Sequence, residues 1–284
     1  MKKITRTVYG NEIQTCLLLN QTFKLREKTT LNELFEVQAG VLPEDNKVPT
    51  LKYLAIGNGG HTIKTGPGGV QYTDALSHAT TDASCFNHLP FVLREVNNDL
   101  SVDERKRYGL RKQVEYNGVN YFAYYLKRLY LEDTLDIQML YNVVQDGSTS
   151  QTPFVPTTDN LKPRPVITDN TGTVTTNSDY LSVSALMEIA FTQADVDNLK
   201  EVSSIIYGIE DLAIVSEIAL CTGADKVVSG QNAGGASFNY IEAVAVQVSM
   251  FIATYHPVAY TNKGFDFQIN VGKTEPLYSI EDGA

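Results

Sequence analysis

Tryptophan is absent from this chain, and cysteine occurs only three times in 284 residues, at Cys16, Cys85 and Cys221. An odd and widely spaced set gives no disulfide framework and points to folding in a reducing compartment. Long apolar runs are missing too. Met1-Lys-Lys leads into the alternating Ile-Thr-Arg-Thr-Val, which reads as neither a signal peptide nor a membrane span. The expectation is synthesis in the cytoplasm and no membrane partner. Positive charge is in deficit: 23 Lys and Arg stand against 33 Asp and Glu, a net charge of -10 with a pI near 4.9. That balance disfavours general or sequence-specific binding to nucleic acid, although a local basic patch remains open. Neither heptads nor internal repeats occur.

What is present is the composition of a folded globular chain, 43% hydrophobic and 20% charged, long enough for one large domain or two small ones. Thr30-Leu-Asn-Glu33 matches a capping box and predicts a short helix closed by Gly40, with a loop marked by Pro43 and Pro49. Residues 51–56 read as a strand, and so does Phe91 to Val96. Ser101-Val-Asp-Glu104 is a second capping box. Asn117-Gly118 predicts a type I′ hairpin between strands at about 110–116 and 119–131, and residues 135–145 extend the β-rich half. From Asp146 to Asp179 the chain is dense in Thr, Ser, Asn, Gly and Pro and reads as a long loop. A strand from Tyr180 to Phe191 and a helix capped by Thr192-Gln-Ala-Asp195 follow, running to about Tyr207. Strands near 212–221, 239–254 and 265–271 finish the chain. The expected fold is α+β and β-rich, with mainly antiparallel sheets in sandwich- or barrel-like form, a few short helices and long loops. Its expected regions are a body over 1–145, a loop or arm over 146–179 and an α+β half over 180–284; one continuous domain is the alternative.

Residues 56–69, IGNGGHTIKTGPGG, pose the first chemical question. Lys64 precedes Thr65 and Gly66, so the Walker order is wrong; the Gly-x-Gly-x-x-Gly spacing is missing, and Pro67-Gly68 breaks any receiving helix. Phosphate binding is rejected in favour of a glycine-punctuated surface loop. His61, His78, Cys85 and His88 are candidate metal ligands, because Cys85-x-x-His88 has a spacing zinc tolerates. No second close pair accompanies it, so no metal or other cofactor is expected. Ser84, Cys85 and His88 lack a nucleophile elbow or a cysteine-protease signature, and adjacent carboxylates such as Asp103/Glu104 diverge on a strand. No enzyme is expected. The basic segment 99–112 reads as local pairing, with inter-subunit pairing the alternative, and Tyr121-Phe-Ala-Tyr-Tyr125 puts aromatic surface on both faces of a strand.

The block LAIGNGGH, then Asn87 to Arg94 (NHLPFVLR), Asp99 to Tyr108 (DLSVDERKRY) and the aromatic hairpin Asn117 to Tyr125, resembles virion structural proteins of tailed bacteriophages; the ending FDFQINVGKTEPLY fits the same pattern. The resemblance implies a non-enzymatic building block located in the virion. Its expected form is a homo-oligomeric ring of the neck, collar or head–tail connector, in contact with copies of itself and with portal, connector or tail proteins. The assembly residues expected from the charge cluster and the two-sided aromatic strand are Arg94, Arg105, Arg107, Arg111, Tyr121, Tyr124 and Tyr125. A baseplate or other tail protein is the alternative within the class. A metal-dependent enzyme using the loop histidines is the alternative outside it.

Overall fold

The computed structural model describes residues 3–23, 48–131, 135–145, 147–163, 179–231, 237–260 and 263–276. The helix expected after Thr30 lies outside them, as do residues 164–178 of the expected long loop. Antiparallel strands dominate, as composition and turn signals predict. The contacts gather the chain into two compact units, Met1–Tyr130 with Phe191–Phe265, and Leu131–Ala190 with Asp266–Ala284. These bounds differ from the expected 1–145, 146–179 and 180–284, because strand pairing joins segments far apart in the chain.

The first unit is built on an eight-stranded sheet. Its path runs through β1 (Lys3–Arg6), β13 (Ser237–Pro257), β12 (Ile214–Gln231), β2 (Thr50–Gly57), β8 (Val119–Arg128) and β6 (Val92–Glu95). Two further strands attach to it, β5 (His88–Leu89) beside β2 and β7 (Tyr108–Tyr116) along β8. Among the described residues this path is open rather than closed into a barrel. Asn117 and Gly118, with φ of 52° and 79°, form the left-handed pair that a type I′ turn needs, and Tyr116 faces Val119 across it. Leu126 also takes a positive φ, 55°, where β8 changes partner from β6 to β2.

β2 and β12 are buried along most of their length, from Tyr53 to Gly57 and from Val215 to Gly223. Both faces are covered, so these central strands read as continuous rather than alternating apolar runs. The core gathers Tyr53, Cys85, Leu93, Leu126, Cys221, Val246 and Phe251. Helix α3 (Gln193–Tyr207) buries Val196, Leu199 and Val202 at helical spacing, and Val202 joins that core. Thr192 and Asp195 close its capping box, and Gly208 ends it with φ 80°. The helices α1 (Val8–Leu19) and α2 (Val102–Arg105) are shorter, and Ser101 and Glu104 complete the capping box of α2.

Part of the glycine-rich stretch is strand rather than loop. β3 (His61–Thr65) pairs with β4 (Gln71–Ala75) around a 3-10 turn at Pro67–Gly69, where Gly68 and Gly69 have φ of 76° and 80°. The strands expected near 212–221 and 239–254 are also longer than the sequence suggests. Among the described residues, β12 meets β2 through Glu217–Gly223 and β13 meets β1 through Met250–Ala253. From Ala224↔Val244 to Gln231↔Ser237 the two strands pair with each other and form a two-stranded arm roughly 24 Å long.

The second unit is a four-stranded antiparallel sheet ordered β10 (Ser148–Pro153), β9 (Ile137–Gln145), β11 (Tyr180–Phe191), β14 (Phe265–Pro276). Residues 148–153, expected in the loop, instead form a hairpin with β9, turned by Gly147 at φ 76°. Asn142 is fully buried and ties three of these strands together: its Nδ2 donates to Ser182 Oγ at 3.0 Å and its Oδ1 accepts from Gln151 Nε2 at 2.8 Å.

Candidate functional site

The residues singled out as candidate ligands converge on a carboxylate that the sequence did not mark. Glu217 stands on β12 with no solvent exposure. Its Oε1 accepts from His78 Nε2 at 2.9 Å and from the Phe86 amide at 2.7 Å. Its Oε2 accepts from the amides of Gly59 at 3.0 Å and Asn87 at 3.2 Å. Next to it, Ser216 Oγ accepts from the Gly60 amide at 3.0 Å. The glycines have a steric reason: a Cβ on Gly57 would lie 2.6 Å from Glu217 Oε2, and one on Gly60 would collide with Glu217 Cγ. The Gly59 amide of IGNGGH and the Phe86 and Asn87 amides of the 85–88 segment thus form a cradle for an anion, and the anion is a side chain of the same protein.

His78 is stacked between Phe86 and Phe251, with ring centroids 4.2 and 3.9 Å away. Its Nδ1 lies 3.0 Å from Asp82 Oδ2, so a carboxylate faces each ring nitrogen. His88 accepts the Cys85 amide at Nε2, 3.1 Å away, and burial pushes its pKa down to about 4. His61 packs edge-on against Tyr255, and burial lowers its pKa against the opposing pull of Glu217. Burial, reinforced by the Glu217 charge, holds the Cys85 thiol well above its usual range, which removes it as a thiolate nucleophile. No group of three His, Cys, Asp or Glu among the described residues is placed to hold a metal ion. Both carboxylate oxygens are already filled by donors. The cluster is thus a tie that fastens the 57–61 and 85–88 segments to β12.

The basic segment pairs within its own chain. Arg94 donates to Glu201 at 2.8 Å and Asn198 at 2.6 Å, both on α3. Arg107 and Lys127 meet Asp195, at 3.4 and 2.7 Å, and Lys127, buried beside its partner, has its pKa lowered. Arg105 and Arg111 share Asp99 Oδ2, at 2.7 and 2.5 Å, and Arg111 also lies 3.4 Å over the Phe122 ring. Tyr124 and Tyr125, expected at an assembly interface, are 1% and 8% exposed and belong to the interior. This corrects the expectation for those two residues: Ala123–Leu126 of β8 are buried by the chain's own packing, while Val119 and Asn120 at its start are exposed. Tyr121 is half-buried against the core.

A further cluster that sequence reasoning missed sets the root of the arm. Asp225 accepts from Tyr53 Oη at 2.7 Å and from Arg128 Nη2 at 2.9 Å, with Lys52 3.0 Å away. Arg128, buried, also donates to the carbonyls of Lys106 at 2.6 Å, Ile241 at 3.3 Å and Tyr108. One guanidinium thus joins the end of α2, β7, β8 and both strands of the arm. Between the arm and β7 lies a cleft of about 580 Å³, lined by Arg105, Lys106, Leu110, Arg111, Val227 and Ile241 among others.

No curated protein and no solved structure matches this chain significantly. A family described as one of unknown function, DUF7208, matches residues 1–283, which is almost the whole length. The chain therefore belongs to the DUF7208 family.

Proposed function

We propose that this protein is a structural subunit of a tailed-phage virion, a homo-oligomeric ring component of the neck, collar or head–tail connector, and that it carries out no catalysis. The observation that carries the reading is the arm. A two-stranded hairpin that pairs with no other strand among the described residues, bearing exposed Val227, Tyr240 and Ile241, is a poor solution for an isolated chain and a good one for a subunit clasped by neighbours. The use of the candidate ligands supports it. His78, Cys85 and His88 serve an internal tie around Glu217. The sequence pattern of Asn87 to Arg94, Asp99 to Tyr108 and Asn117 to Tyr125 adds the phage context.

The test is twofold. Light scattering on purified full-length protein should give a defined oligomer, and reconstruction of the particle should place the chain in an axial ring. A chain that stays monomeric and is missing from the particle ends the proposal. Density in the baseplate would keep the structural role and move its position.

A further inference from the structure

We propose that Asn117 is a self-modifying site, where the chain converts its own side-chain amide through a cyclic imide into aspartate and isoaspartate, while the same dipeptide at Asn58 is held inert by the fold. Asn-Gly occurs twice in the sequence, at 58–59 and 117–118. In both, the glycine nitrogen is the nucleophile and the asparagine Cγ the electrophile, with no Cβ on the glycine to hinder approach. The step needs only water. As the glycine N–H proton leaves to solvent, the nitrogen attacks Cγ and an N–C bond forms. The Cγ–Nδ2 bond breaks, and the nitrogen departs with a proton as ammonia. Water then opens the imide, at one carbonyl to aspartate and at the other to isoaspartate. Nothing is oxidised or reduced, and the chain gains one negative charge.

The surroundings separate the two positions. Asn117 and Gly118 form the exposed tip of the β7–β8 hairpin. The pairing of Tyr116 with Val119 leaves the Gly118 amide outside the ladder, and it meets no acceptor among the described residues. A Cβ built on Gly118 would find nothing within 4 Å, so the tip has room to turn until nitrogen and carbon meet. The left-handed turn must open for that attack, which sets the folded rate below that of the denatured chain. At Asn58 the reacting parts are held. The Gly59 N–H donates to Glu217 Oε2 at 3.0 Å, Asn58 Nδ2 donates to Tyr207 Oη at 2.9 Å, and Asn58 Oδ1 accepts from Asn87 Nδ2. A Cβ on Gly59 would lie 2.8 Å from Phe86 Cβ, so the backbone there is closely packed. The negative charge of Glu217 also opposes removal of the Gly59 proton. At Asn117 the product has a structural effect: isoaspartate adds a backbone carbon to a two-residue turn whose length sets the pairing of β7 with β8. The inference rests on the hairpin and the cradle and not on the subunit reading.

The experiment uses the full chain, aged in mildly alkaline buffer both folded and in urea. Peptide mass spectrometry follows the change from amide to acid at each asparagine, and isoaspartyl methyltransferase labelling reports the rearranged product. In urea the two sites should react at comparable rates. In the folded protein Asn117 should react, and Asn58 at least about tenfold more slowly, because its hydrogen bonds must break first. An acidic form should grow in on ion exchange, and Asn117→Asp should abolish that growth. An Asn117 that keeps its amide in the folded protein while the denatured chain reacts to completion overturns the site. Equal rates at the two positions in the folded protein, as reaction through global unfolding would give, overturn the lock on Asn58. Aspartate without isoaspartate at position 117 overturns the imide route.

Discussion

Glu217 concentrates more hydrogen bonds on one side chain than any single turn signal in the sequence could announce. Four donors converge on it, three of them backbone amides, in a fully buried position. Glu217→Ala leaves those donors facing nothing, and the expected loss is about 3–5 kcal/mol by the cost of stripping a partner from a buried charge. Urea unfolding with an unchanged slope would measure it; a loss below about 1 kcal/mol would sink the idea that this residue ties the loops. His88 supplies a pH dependence. Its folded pKa is depressed to about 4 from an ordinary 6.5, mainly by burial, with Glu217 and His78 as its charged neighbours. Below pH 6.5 the unfolded chain takes the proton and the folded one resists it. Stability is therefore complete above that pH and falls as pH drops toward 4, by about 3 kcal/mol at most. His88→Gln keeps an acceptor without a titration and should flatten the decline, as denaturant midpoints at pH 7 and pH 5 would show.

Hairpins and helices here are governed by local chemistry, which makes them both legible and testable. Gly118 sits at φ 79°, so Gly118→Val forces a β-branched residue into the left-handed region at a cost of about 1–2 kcal/mol. Thr192→Ala removes the N-cap of α3 for about 1 kcal/mol. Both are read by thermal unfolding. The same locality explains why Asn117-Gly118, Ser101-x-x-Glu104, Thr192-x-x-Asp195 and the strand Tyr180–Phe191 could be read from sequence: each is specified within a few residues. The β9–β10 hairpin carried the equally local signal Asp146-Gly147, hidden in a Thr- and Ser-rich run that reads as loop. The β12 half of the arm was missed, while its β13 half lay within the strand expected at 239–254, because Gly223, Asp225, Ser229 and Gly230 break an apolar pattern that no core requires there. The Glu217 cradle could not be read at all. Its partners lie 130 to 158 residues away, and a lone glutamate in an apolar strand gives no hint of where its donors come from. Asp225 with Arg128, 97 residues apart, is the same case.

For the whole molecule, the division of labour is between a body fastened internally and an arm left partly exposed. Because both nitrogens of His78 face carboxylates of the chain, exhaustive chelation should leave the melting temperature unchanged. A fall of several degrees would reopen the metal reading.

The glycine cradle carries one more consequence. It is a receptor whose guest is tethered to β12, a strand 158 residues downstream of the Gly59 amide. Shortening that tether with Glu217→Gly would vacate a pocket of convergent amide donors sized for a carboxylate. Formate or acetate in the buffer should then restore lost stability in a saturable way, while chloride at equal strength should not.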